Sequence, residues 1–124
     1  MSTKLHILLA DDHPMFRQGL RQTVDQDPTF EVIGEAGDGA IALALIRAQR
    51  PDLCVLDINM PKLDGFSVVR QMRAEQLPGE VIFLTMYNEE DLFNEAIDLG
   101  VKAYVLKESA VTDILEGIRA VAAG

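Results

Sequence analysis

LHILLADD at residues 5–12 and LCVLD at residues 53–57 decide how this chain is read. Each is a short apolar run with the length and branching of a buried strand. Each hands a carboxylate to its carboxyl end: Asp11 and Asp12 from the first run, Asp57 from the second. In an open α/β sheet that edge is where ligands bind. Three carboxylates gathered there repel one another unless a cation joins them, so the pattern points to a divalent metal site and a reactive aspartate.

Outward from these runs, strand and helix signals alternate five times. After Leu5–Ala10, Pro14 stands at a helix start, and Phe16, Leu20 and Val24 repeat as one buried face until Asp27-Pro28 breaks the helix. Phe30–Ala36 alternates apolar and polar residues, as a strand at or near a sheet edge does. Gly37-Asp38-Gly39 turns into a helix running to about Arg50, where Pro51 stops it. Leu53–Leu56 is the third strand. A loop from Asn59 to Gly65 leads to a helix with Phe66, Val69 and Met72 inward, ended by Leu77-Pro78-Gly79. Val81–Leu84 is the fourth strand. Asn88 is placed to cap the next helix, with Asp91 three residues on, and Gly100 to close it. Val101–Leu106 is the fifth strand and Val111–Ala122 the last helix. Strict alternation predicts a parallel sheet with helices on both faces.

The 124 residues are enough for one domain with its own core. A formal net charge of −9 with no Lys/Arg-rich run argues against this segment tracking nucleic acid and favours cations or basic surfaces as partners. Cys54 is the only cysteine, which excludes an intrachain disulfide and fits a reducing cytoplasm; inside an apolar strand it reads as an inert thiol. No stretch has membrane-spanning length, so no membrane is expected.

Two more strands end in polar residues: Thr85 after VIFL and Lys107 after AYVL. Four of the five strands thus deliver polar groups to one edge. Asp12 and Asp57, with a backbone carbonyl from the following loop, can supply oxygens for Mg²⁺. A carboxylate can also serve as nucleophile. A phosphoryl group on Asp57 would then meet Lys107, which neutralises one oxygen, and the Thr85 hydroxyl, which donates to another. Taken singly, each residue has a plainer reading. An Asp after a strand caps or turns, a Lys is solvated, and a Thr packs. Asp38, Asp64 and Glu89-Glu90-Asp91 read as turn or helix-start acids, His13 as solvent-facing near a helix start, and His6 as a strand residue, with metal ligation the minor reading of either histidine. The joint arrangement carries the chemistry.

The segments LLADDHPMFRQGL, VLDINMPKLDGF, FLTMY and KAYVLKES together strongly resemble the receiver domain of two-component response regulators, from Lys4 to the last residue. DDHPMFRQGL and GEAGDGAIAL look like the NarL/FixJ subfamily. The resemblance implies a flavodoxin-like (βα)5 doubly wound parallel sheet of order 2-1-3-4-5, and a single receiver domain over residues 1–124. It implies Asp57 as phospho-acceptor, Asp12 as direct Mg²⁺ ligand, Asp11 as its partner through water, and the Asn59 backbone carbonyl as a further ligand. Thr85 matches the switch hydroxyl, Lys107 the phosphoryl-contacting lysine, and Tyr104 the switch aromatic. A sensor histidine kinase is the implied donor and a phosphorylation-linked homodimer an implied state. DNA would be reached through a C-terminal helix-turn-helix domain beyond this chain, whose ending at VAAG suggests a fragment of a longer regulator. Glu108 stands where the wider family often has proline, which argues against a cis peptide there. Met86 stands where a small residue is common, which bears on donor and water access.

Three rivals are weaker. An aspartate-nucleophile phosphatase usually carries a second acid two residues after the nucleophile, where this chain has Asn59. A flavin-binding domain would need a hydroxyl- or glycine-rich phosphate loop where this chain has two acids. A phosphorylation-independent interaction module would not need the full set of site residues, and a freestanding receiver is the alternative to a fragment of a longer regulator.

Overall fold

The computed structural model describes residues 4–124; residues 1–3 of the MSTKLH start lie outside it. Five strands alternate with five helices: β1 Leu5–Ala10, α1 Pro14–Asp25, β2 Phe30–Ala36, α2 Gly39–Gln49, β3 Leu53–Asp57, α3 Gly65–Ala74, β4 Glu80–Thr85, α4 Glu90–Asp98, β5 Ala103–Leu106 and α5 Ala110–Ala123. A single 3-10 turn, Lys107–Ser109, joins β5 to α5. The strands pair in parallel in the order β2-β1-β3-β4-β5. This is the doubly wound sheet of the sequence reading, with β2 on one edge.

The central strands are buried on both faces, so their apolar runs split by alternation. Leu8, Cys54, Leu56, Val81 and Phe83 pack on Ala42, Leu43 and Ile46 of α2 and Val68, Val69 and Met72 of α3. Ile7, Leu9, Val55, Ile82 and Leu84 face the other way, onto Leu20 and Val24 of α1 and Ile114 and Ile118 of α5. Phe16, expected inward on α1, is only partly covered there. Burial pushes the Cys54 thiol up to about 12, as an inert core cysteine requires.

Two helix starts are capped as acids predict: Asp38 accepts from the Ile41 N–H at 2.8 Å and Asp64 from the Ser67 N–H at 2.7 Å. The expected cap at Asn88 is corrected. Here α4 begins one residue later, with Glu89 at the cap position and no side-chain bond, and its first turn carries Glu90 and Asp91. The helix dipole favours those acids without a capping oxygen. β5 is also shorter than expected. The Val101 N–H is spent on the Ala96 carbonyl at the end of α4, beside Gly100 at φ +79°, so pairing starts only at Ala103. No cis peptide bond occurs among the described residues.

Candidate functional site

Sheet register sets the site. Ala10 pairs with Leu56, so Asp11 comes level with Asp57; Asp57 pairs with Leu84, and Thr85 with Leu106, so Lys107 lies one step further along. The side chains of Asp11, Asp57 and Lys107 converge at the carboxyl edge. Lys107 Nζ lies 2.8 Å from Asp11 Oδ2 and 2.9 Å from Asp57 Oδ2. It also stands 4.9 Å from the centre of the Phe16 ring, a cation–π distance. Asp11 and Asp57 are buried; Asp12 is half-buried.

One ammonium does not neutralise three carboxylates. Burial drives the Asp57 carboxyl up to about 6, although its hydrogen bond to Lys107 and that ammonium's charge pull the other way; the Asp11 charge adds to the rise and the Asn59 N–H opposes it. For Lys107, burial works against the ammonium, but Asp11 and Asp57 outweigh it and hold its pKa above the ordinary value. Asn59 donates its N–H to Asp57 Oδ1 at 3.1 Å, which sets the Asn59 peptide beside the carboxylate.

The donor set fits a divalent cation. Asp12 Oδ1 is buried without a hydrogen bond, and Asp11, fully buried, has only the Lys107 ammonium at 2.8 Å and the His13 N–H at 2.7 Å against its charge. One ligand atom from each of Asp11, Asp12, His13 and Asp57 lies within 4.8 Å of all the others. Opposite ligands on an octahedral Mg²⁺ stand about 4.2 Å apart, so small adjustments bring oxygens from these acids into range. Adding Mg²⁺ at tenfold its Kd is therefore expected to stabilise the domain by about 1.4 kcal/mol, roughly 5 °C in Tm by differential scanning fluorimetry. Protons compete with the ion for Asp57, so this shift is expected to shrink as pH falls through about 6.

Thr85 and Tyr104 are not directed at the acids. The Thr85 hydroxyl accepts from the Tyr87 N–H at 3.1 Å and reaches the Tyr87 carbonyl at 3.4 Å. The Tyr104 hydroxyl donates to the same carbonyl at 3.0 Å, and its ring meets Phe93 edge-on at 5.6 Å. Burial raises the Tyr104 phenol pKa, with the Thr85 hydroxyl opposing and Glu89 adding to the rise.

Two residues escaped the sequence reading, and a third, His13, is placed differently from it. Tyr87 joins Thr85 to Tyr104 through its backbone, for which no side-chain signal exists. Arg17 of α1 donates to the Asp11 carbonyl at 2.6 Å and pairs with Glu35 of β2 at 3.1 Å, fixing the chain where the acids emerge. His13, expected to face solvent, keeps 61% of its side chain exposed yet turns Nδ1 to 3.1 Å from Asp12 Oδ1 and 3.3 Å from Asp11 Oδ1. Its adjacency to the acid pair was the available signal. A cleft of about 390 Å³ opens here, lined by His13, Phe16, Met86, Lys107 and Glu108, so Met86 does stand at the entrance.

Residues 7–119 match the response regulator receiver domain family. The chain is 36% identical over 118 residues to the nitrate/nitrite response regulator protein NarL of Escherichia coli K12, covering 95% of this chain and 55% of that protein. It is 37% identical over 123 residues to the nitrate/nitrite response regulator protein NarP of the same organism, covering 99% and 57%. The signal receiver domain of the response regulator NarL from Mycobacterium tuberculosis superposes with a TM-score of 0.93 at 35% identity, covering 98% of both chains. The chain thus spans little more than half the length of the full-length relatives it matches.

Proposed function

The chain belongs to the response regulator receiver domain family, and from that premise we propose that Asp57 accepts a phosphoryl group from a phosphohistidine of a sensor kinase. The observation that supports this most is a buried Asp57 paired with Lys107 and set within reach of two further carboxylates, Asp11 and Asp12, that one ammonium does not neutralise. A carboxylate oxygen of Asp57 attacks phosphorus in line, the P–N bond breaks, and the freed imidazole nitrogen keeps the electron pair and takes up a proton. The product is an acyl phosphate on the protein itself. Asp12, Asp57 and the Asn59 carbonyl would hold Mg²⁺, with Asp11 acting through water, and the ion would supply charge neutralisation for the phosphoryl oxygens. Lys107 exchanges its contact with the Asp57 carboxylate for one with a phosphoryl oxygen.

The new dianion attracts the Thr85 hydroxyl inward. That movement gives up the Thr85–Tyr87 bonds, and with them the fixed position of the carbonyl to which Tyr104 donates. A pre-existing equilibrium shifts toward the form in which the surface around α4, β5 and α5 is rearranged. In the cell the output would be homodimerisation and control of transcription through a DNA-binding domain outside this chain; one matched relative is named a transcriptional regulatory protein and one matched structure a DNA-binding response regulator. The setting would be the cytoplasm; no helix among the described residues is long and apolar enough to cross a membrane. Incubation with acetyl phosphate and Mg²⁺, followed by intact-mass spectrometry, is expected to give one phosphate adduct that disappears on chelation of the metal. Absence of any adduct overturns the proposal.

A further inference from the structure

Lys107 brings its ammonium in among the acids on a side chain that is only 10% exposed. Two of its three N–H groups meet Asp11 Oδ2 and Asp57 Oδ2. A further polar neighbour, His13 Nδ1 at 3.4 Å, belongs to a mostly exposed side chain. The remaining partner is apolar. The centre of the Phe16 ring lies 4.9 Å from Nζ, inside the range of a cation–π contact. Phe16 carries the Leu20–Val24 stripe of α1 up to the carboxyl edge, where the core on that face covers it only in part. Packing there asks for no more than an aliphatic side chain, as the buried Leu20 and Val24 further down the stripe show. An aromatic ring adds a negative face, and it holds a cation best when that cation is stripped of water, as this one is. The same ring lines the cleft that opens at the site.

We propose that Phe16 is a positioning residue for Lys107, its ring keeping the ammonium in the site while Asp57 gives up its hold on it. The inference rests on the phosphoryl transfer proposed above. As the Asp57 oxygen bonds to phosphorus, that oxygen loses its negative charge, and Lys107 moves from the carboxylate to a phosphoryl oxygen. During the exchange the carboxylate's hold on the ammonium weakens, whereas the ring's does not. The ring therefore counts for more in the transition state than in the resting site, which is the condition for raising a rate. With an aliphatic residue in its place, the flexible lysine stem is free to swing the ammonium into the cleft, where water takes it up.

The test replaces Phe16 by trifluoro- and pentafluorophenylalanine, which keep the shape of the ring while first removing and then reversing its negative face. The initial rate of Asp57 adduct formation from acetyl phosphate, at saturating Mg²⁺, is expected to fall stepwise through the series, by about threefold to tenfold in all. Phe16→Leu is expected to lose about as much, and Phe16→Tyr to keep most of the parent rate. A merely structural ring predicts rates that ignore fluorination, and that result overturns the proposal. Urea unfolding of the same proteins, with Lys107 and with Lys107→Met, reads the contact without any phosphoryl group. Fluorination is expected to lower the folding equilibrium constant about threefold more when Lys107 is present; equal effects in both backgrounds overturn the contact. The two readings fail apart. No adduct in any variant, with the unfolding difference intact, refutes the transfer and with it the part given to Phe16. An adduct formed at fluorine-independent rates leaves the transfer standing and refutes Phe16 alone.

Discussion

Asp57→Asn is expected to give a domain that takes no phosphoryl group from acetyl phosphate and, in metal-free buffer at neutral pH, unfolds at a higher temperature than the parent. The first half follows from chemistry, since an amide is not a nucleophile of this kind. The second follows from linkage. In the folded, metal-free protein the Asp57 pKa is raised to about 6 from the ordinary 3.8. A raised acid favours folding in its protonated form. Its contribution is fully present below about pH 4 and is lost as pH rises through 6. At neutral pH the buried charge opposes folding by something on the order of 3 kcal/mol. Asparagine removes the charge but offers a single acceptor, so it keeps either the Lys107 or the Asn59 contact and not both. The net gain is expected to be about 1 kcal/mol. Mg²⁺ stabilises only the parent, so thermal unfolding with and without the ion should show the difference narrow or change sign.

Gly39→Ala is expected to destabilise by about 2–3 kcal/mol, read as a lower urea midpoint, although alanine is the better helix former by up to about 1 kcal/mol. A Cβ at Gly39 would fall inside the van der Waals surface of the Leu63 carbonyl oxygen, a backbone atom with no rotamer to change. The Gly39 N–H also bonds the Pro61 carbonyl at 3.2 Å, so α2 grips the loop between β3 and α3 at two points. Asn59 lies on that loop. A forced shift is therefore expected to weaken Mg²⁺ about tenfold as well. Gly19→Ala is the counterpart: nothing lies within 4 Å of its Cβ, and there the helix propensity alone is expected to stabilise by about 0.5–1 kcal/mol.

The sheet and the acidic edge were legible because both rest on runs. Apolar stretches such as Ile7–Ala10 and Val81–Leu84 leave the chain no soluble alternative to a buried strand, and a strand's last residue goes to the edge whatever its neighbours do. Asp11, Asp57 and Lys107 converge for that reason. Orientation was not legible. Thr85 has the residue type for a phosphoryl contact, yet its hydroxyl is held by a backbone whose sequence, Tyr87, is neutral on the matter. Arg17 reads as an ordinary surface arginine of α1, and only the fold brings it to the Asp11 carbonyl. The start of β5 was misplaced by two residues because the end of α4 takes the Val101 N–H, and the start of α4 by one because its cap position carries no side-chain bond.

The four residues of β5 pair with one neighbour only, and none is fully buried, whereas all five of β3 are buried between two strands. Amide hydrogen exchange should therefore divide the sheet in time. Protons on β3 leave only through global unfolding, those on β5 through local opening. Asp57 is anchored to the slow part and Lys107 to the fast part. The negative pole of the site keeps still while its counter-charge is free to let go.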